Sequence, residues 1–477
     1  MRNFNVGDNT KFGPPKGMRD WLPKEARLRQ KLIRLIESHY QLYGFEPIDT
    51  PALENIEVLQ GKGGGENEKL MFKISKRADD FFKVMQSEFR GLVSDEVIAN
   101  SPENASLSEI LTEEQSRKIS NSIADMALRF DMTVPLARYY ANHANDLPKP
   151  FRCSHIGPVW RADRPQRGRF REFYQCDIDI VGGASDSYEV ELLLATDRVL
   201  KALGVGKFKI RVSDKQLLTS VLRRIGTPVE KLAGVAVAID KMDKLSFEDV
   251  KKEIAGLGLE ADNLEKISLF LNSAKSGFLD LALFKENKIT DLGKKIEDII
   301  SRVKAVNPDA DVVFDPLLVR GFDYYTGPVF EINVLDKDFA FSIGGGGRYD
   351  GLIEKLGGPK GTPAVGLSLG FERILTILLE KDQAAAQAAA PRLLLANNGQ
   401  SEKDLLELAE KLRSAGLQVE TVLEPRKIGQ QLEAAQKAGI EFAVTAFTPG
   451  SQTLKVRRLS TREDKEMGLE ELKKALG

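Results

Sequence analysis

The stretch Phe151–Gly182, FRCSHIGPVWRADRPQRGRFREFYQCDIDIVG, determines the fold, and its pattern predicts strand, basic loop, strand. The first strand is expected to end near Arg161. The loop Ala162–Gly168 carries Asp163, Arg164, Pro165, Arg167 and Gly168, the composition of an irregular connection. The second strand is expected to begin near Arg169. Alternation along it puts Arg171, Phe173, Gln175, Asp177 and Asp179 on one face, with Glu172, Tyr174, Cys176 and Ile178 on the other. A guanidinium, an amide and two carboxylates turned the same way make a poor core, because unpaired buried polar groups are costly. The face reads either as the floor of a polar ligand site or as a solvated surface whose charges pair with neighbours. Arginines beside an aromatic in the loop suit a nucleotide and its phosphates, which favours the floor.

This segment resembles motif 2 of the class II aminoacyl-tRNA synthetases, and WRADRPQRGRFREFYQCDID (160–179) is similar to its histidyl form. Other stretches agree, in family order. ALRFDMTVPLARY (127–139) resembles the segment that holds the amino group of the amino acid. LVRGFDYYTGPVFEI (318–332) and SIGGGGRYDGL (342–352) resemble the two histidine-specific motifs, and AVGLSLGFERI (364–374) resembles motif 3. FEPIDTPALE (45–54), after a helix, resembles motif 1, which in the family forms the dimer interface.

Composition bounds the rest. A chain of 477 residues has room for two or three domains. With 69 basic and 70 acidic residues the net charge is −1, so any RNA site must be a local basic patch. Cys153 and Cys176 are too few for a disulfide scaffold. With three histidines (His39, His143, His155) no zinc-ligand spacing occurs, so no protein-held metal is expected. No apolar run reaches the length of a membrane span and the first residues lack a secretory core, so a cytoplasmic protein is expected.

Along the chain, Lys24–Gly44 predicts a helix with Leu28, Leu32, Leu35, His39 and Tyr43 on its face. His39 then reads as packing. FEPIDTPALE predicts an extended segment broken by Pro47 and Pro51. GKGGG (61–65) lacks the lysine and hydroxyl pair of a phosphate loop and reads as a flexible loop. Residues 81–125 read as polar loop and exposed helix. Asp131 and Thr133, two apart, would share one face of an extended segment, as an ammonium group needs. Tyr188–Gly204 predicts a helix closed by Gly204. Residues 327–335 and 339–343 predict a hairpin whose exit is GGGGRYDG, where the glycines permit close approach to a ligand or merely a flexible turn. Beyond the alanine-rich 381–390, strand and helix alternate, predicting a largely parallel sheet. Lys455, Arg457 and Arg458 near its end stand equally as an RNA contact or as exposed strand residues.

The resemblance implies an α/β protein: an α+β catalytic domain with an antiparallel sheet flanked by helices, a helical insertion and a C-terminal α/β anticodon-binding domain. The expected boundaries are 1–214 and 307–381 for the catalytic domain, 215–306 for the insertion, 382–390 for a linker and 391–477 for the anticodon-binding domain. It further implies activation of L-histidine by ATP, with Mg2+, and transfer to the 3′ end of tRNA(His) by a homodimer. Arg161 and Arg320 would meet the α-phosphate. Phe173 and Arg373 would sandwich the adenine, with Arg169 and Arg171 near the phosphates. Asp131, Thr133 and Gln175 would hold the ammonium group, Asp179 and Tyr325 the imidazole, and Tyr324 would line the pocket. Two alternatives stay open at this point: a histidine-binding regulatory subunit of the ATP phosphoribosyltransferase, and a non-catalytic module on the same fold.

Overall fold

The computed structural model describes residues 12–60, 70–92, 111–243, 245–275, 286–318, 324–339, 341–381 and 392–476. It divides into two compact units, Met1–Arg19 with Ile33–Lys381 and Asp20–Leu32 with Asp382–Gly477. The expectations for GKGGG, for Arg320 and for the linker 382–390 fall outside the described residues.

Strands of the first unit are β1 (Glu46–Pro47), β2 (Leu53–Asn55), β3 (Lys73–Ser75), β4 (Ala124–Leu128), β5 (Phe151–Trp160), β6 (Glu172–Val181), β7 (Phe208–Asp214), β8 (Val312–Phe314), β9 (Pro328–Val334), β10 (Ser342–Arg348) and β11 (Ala364–Gly370). Eight form one sheet in the order β1-β5-β6-β11-β10-β9-β7-β8, and β2-β4-β3 form a small second sheet. Pairing in the large sheet is antiparallel except at its two ends, where β1 joins β5 and β8 joins β7 in parallel. Pro47 does not break the extended segment: it pairs with Ser154 inside β1, and the Ile48 N–H donates to the Ser154 carbonyl at 2.9 Å. The break falls at the stretch that holds Pro51, after which β2 enters a different sheet.

Several expectations are corrected. The helix Pro23–Gln41 buries Leu28, Leu32, Ile36 and Tyr40, an i+4 ridge, while Leu35 and His39 are half-buried. The Tyr40 hydroxyl donates to the Cys176 carbonyl at 3.2 Å, which sets that register, and His39 Nδ1 lies 2.8 Å from the Leu35 carbonyl. The second motif 2 strand begins at Glu172 rather than Arg169, because Gln166 and Arg169 pair with each other and close the loop first. The helix expected within 81–125 is Glu113–Ser122, started by a capping box of Thr112 and Gln115, and a second helix not expected, Ala78–Leu92, precedes it.

The glycine run is not the exit of a hairpin. Gly344–Gly347 lie inside β10, between β9 and β11. A Cβ on Gly346 would stand 2.1 Å from the Gly366 carbonyl oxygen, and one on Gly347 2.6 Å from that of Pro328. The close approach is therefore between neighbouring strands. Farther on, the helix Ser187–Leu203 ends at Gly204, whose φ of 70° only glycine adopts freely.

From Lys215 to Val306 the described chain is helical: Lys215–Arg224, Leu232–Asp240, Phe247–Gly256, Ala261–Lys275 and Asn287–Val306. These helices share an apolar cluster that includes Val221, Val235, Val250, Ile254 and Ile267.

In the second unit, β12 (Arg392–Leu395), β13 (Gln418–Thr421), β14 (Phe442–Phe447), β15 (Thr453–Arg458) and β16 (Glu463–Gly468) are ordered β13-β12-β14-β15-β16. The first three run parallel, and β15 and β16 add antiparallel pairs. The sheet is thus more mixed than expected, and β16 has no counterpart in the reading of the sequence. Leu393, Leu395, Leu405, Leu412 and Val444 form a core against the helix Glu402–Ser414.

Candidate active site

The alternation read in motif 2 holds from Phe173 onward, but burial replaces solvent. Gln175, Asp177 and Asp179 are 7%, 2% and 2% exposed. Room for them comes from the strands on either side. Gly157 of β5 stands opposite Gln175, and Gly370, Ser368 and Gly366 of β11 stand opposite Gln175, Asp177 and Asp179. A Cβ on Gly366 would lie 1.8 Å from Asp179 Oδ1, so only glycine leaves space for that carboxylate.

Asp131 and Thr133 do not share an extended strand. β4 ends at Leu128, and Thr133 opens the helix Thr133–His143. Asp131 sits in the turn before it, where its Oδ1 accepts the Val134 N–H at 3.1 Å, a short side chain satisfying an orphan donor of the first turn. Its Oδ2 accepts from the Tyr324 hydroxyl at 3.1 Å. The side chain of Thr133 also reaches that hydroxyl. Tyr324 packs edge-on against Tyr325 and Tyr349, ring centroids 4.9 and 6.1 Å away, so three phenols wall the pocket.

The Tyr349 hydroxyl donates to Asp179 Oδ1 at 2.6 Å, while Asp179 Oδ2 is buried with no hydrogen-bond partner. Burial pushes the Asp179 carboxyl up to about 7, against the pull of the Tyr349 bond. Burial also raises Asp131 to about 6, although the Val134 N–H, Arg161 and Tyr324 favour its charge. Asp177 is pushed upward by burial and then by Asp179 beside it.

Arg161, just past β5, is anchored by its Nε on the Phe130 carbonyl at 2.9 Å, and its Nη2 lies 3.5 Å from Gln175 Oε1. Its guanidinium stands 5.0 Å over the Phe173 ring. The other predicted residues are also held. Arg169 pairs with Asp163 at 2.9 Å, and Arg171 Nε donates to the Asp163 carbonyl at 3.1 Å. Arg373 reaches the Gly168 and Ser342 carbonyls and stands 5.6 Å from the centroid of the Phe341 ring. Phe173 and Arg373 therefore each have an aromatic–guanidinium partner other than one another.

One set of predicted residues thus converges: Asp131, Thr133, Arg161, Gln175, Asp179, Tyr324 and Tyr325. Arg169 and Arg171 lie on the loop beside it, and Arg320 lies outside the described residues. Tyr349, Asp177 and Ser368 were not singled out. Asp177 was legible on the same strand face, and Tyr349 and Ser368 lie within the quoted motifs, but no local signal marked them. Among the described residues no group of three or more His, Cys, Asp and Glu side chains could hold a metal ion, and no helix is long and apolar enough to cross a membrane.

In the second unit the basic strand is neutralised by neighbours. Arg457 and Lys455 pair with Asp464 of β16 at 2.6 and 3.3 Å, and Arg458 pairs with Glu441 at 2.5 Å.

Residues 17–80 and 110–374 match the family described as histidyl-tRNA synthetase, and residues 393–477 match an anticodon binding domain. A histidine–tRNA ligase of Flavobacterium johnsoniae is 35% identical, covering 97% of this chain and 98% of its own. That of Phocaeicola vulgatus is also 35% identical, over 93% and 95%. The crystal structure of histidyl-tRNA synthetase from Nostoc sp. PCC 7120 superposes with a TM-score of 0.75 at 28% identity, covering 98% of this chain and all of the other. With nearly the whole length matched and the pocket assembled from the motifs that carried the resemblance, the chain belongs to the histidyl-tRNA synthetase family.

Proposed function

We propose that this chain is a histidine–tRNA ligase, activating L-histidine with ATP to histidyl-adenylate and passing the acyl group to the 3′ end of tRNA(His). The observation that carries the reading is Asp179 Oδ2, a buried carboxylate oxygen without a partner, in a pocket where Asp131 and Gln175 add further acceptors. A buried acceptor left open is costly, and an imidazole N–H supplies the missing donor. Asp179 and Tyr325 take the ring, Tyr324 lines it, and Asp131, Thr133 and Gln175 take the ammonium group.

Arg161 and Arg320 meet the α-phosphate. The histidine carboxylate is already a nucleophile at neutral pH, so the step needs no general base; holding the reactants in line and neutralising charge on the phosphate oxygens suffices. The carboxylate oxygen bonds to the α-phosphorus as pyrophosphate leaves. Arg169 and Arg171 serve the other phosphates, exchanging Asp163 for them, and adenine lies between Phe173 and Arg373. Magnesium, carried largely by the phosphates of ATP, would supply added positive charge beside Arg161 and Arg320.

The same reading divides the chain into a catalytic domain of 1–214 and 307–381, an insertion of 215–306, a linker of 382–390 and an anticodon-binding domain of 391–477. It also makes the protein a cytoplasmic homodimer joined through the segment 45–54. ATP–pyrophosphate exchange with each amino acid in turn, with magnesium and without tRNA, tests it. Exchange with histidine alone is expected. No exchange from folded protein that binds histidine would favour the regulatory-subunit reading.

A further inference from the structure

We infer that Asp177 and Ser368 are positioning residues that decide which end of the Gln175 amide faces the substrate. The inference rests on the proposed function, in which Gln175 meets the ammonium group of histidine. Gln175 Nε2 donates to Ser368 Oγ at 2.7 Å and to Asp177 Oδ1 at 3.3 Å. An amide nitrogen has two hydrogens, so both are used. Asp177 and Ser368 thus form a triangle with Gln175, and the Ser368 hydroxyl favours the charged form of the Asp177 carboxyl. Asp177 and Ser368 stand opposite each other in the β6–β11 register, so the sheet itself holds the triangle.

The consequence is directional. With its nitrogen tied to the sheet, Gln175 turns its oxygen outward, toward Arg161 Nη2 at 3.5 Å, a group that can only donate. An outward oxygen accepts from an ammonium group; an outward NH2 would repel it. Asp177 serves in either protonation state, since a neutral carboxyl keeps an acceptor oxygen. This role accounts for a carboxylate buried at the Asp177 position.

The test is pyrophosphate exchange with histidine, with 3-(imidazol-4-yl)propionate, which lacks the ammonium group, as competitive inhibitor. Asp177→Leu, similar in shape but without an acceptor, should raise KM for histidine about tenfold, the scale of a lost buried polar partner. The inhibitor constant and KM for ATP should stay near wild type. Ser368→Ala should move KM the same way, and Asp177→Asn and Ser368→Thr, which restore an acceptor, should recover it. A general disturbance would raise all three constants together and would overturn the inference. So would a wild-type ratio of histidine KM to inhibitor constant in both Asp177→Leu and Ser368→Ala. If Asp177→Leu does not fold, Ser368→Ala against Ser368→Thr decides. Absence of histidine-dependent exchange in the wild type overturns the proposed function and this inference with it.

Discussion

Tyr349 donates its hydroxyl to one oxygen of Asp179 at 2.6 Å and leaves the other oxygen buried and open. One oxygen thereby holds the carboxylate in place, and under the proposed function the other takes the imidazole N–H. Tyr349→Phe should leave both oxygens without a donor. KM for histidine in pyrophosphate exchange should rise about tenfold with little change in KM for ATP. An unchanged histidine KM would remove Tyr349 from the site.

The pH response of the unliganded protein follows from the same carboxylates. Asp179 and Asp131 titrate near 7 and 6 in the fold, above the ordinary 3.8, so the folded state holds more protons than the unfolded one across this window. Their contribution to stability is full below about pH 4 and is lost as pH rises through the folded values. Asp179→Asn, which has no proton to lose, should therefore gain Tm on wild type as pH moves from 5 to 8. Parallel Tm profiles for the two proteins would contradict this.

Gly366 leaves its room to a side chain, Asp179, whereas Gly346 leaves it to backbone. A methyl group there would overlap Asp179 Oδ1 at 1.8 Å, so Gly366→Ala must displace the carboxylate. Histidine binding by titration calorimetry should weaken at least about tenfold. Gly346→Ala, whose Cβ would meet backbone on β11 at 2.1 Å, should instead cost stability, at least about 2 kcal/mol by denaturant unfolding.

Arg320 carries the prediction that separates binding from chemistry. Arg320→Ala should lower the exchange rate by about two to three orders of magnitude, as loss of a charge aimed at the transition state does, while histidine still binds. Near-wild-type turnover would withdraw its assigned role.

Much of the site was readable because alternation along a strand is a property of the backbone. Gln175, Asp177 and Asp179 share a face in any sheet that contains them, and Gly204 ends its helix by local conformation alone. Other elements were read wrongly where the local pattern admits two outcomes. Asp131 and Thr133 are two apart in a strand or at a helix start, and the Val134 N–H capped by Asp131 selects the helix. The strand β16, with Glu463–Glu466 all charged and exposed, shows no apolar alternation because it is an edge held by backbone pairing and by Asp464 facing Lys455 and Arg457.

The sequence by itself determined the polar strand, its basic loop, the order of motifs and the family they resemble. Only the tertiary structure decided that Tyr349 meets Asp179 across 170 positions and Tyr324 meets Asp131 across 193. It also decided that four consecutive glycines serve strand packing rather than a turn. Periodicity is local and is written residue by residue. Which strand lies alongside, how much room it leaves and which hydroxyl reaches a buried carboxylate depend on groups far apart in the chain, and only burial of the whole sheet brings them together.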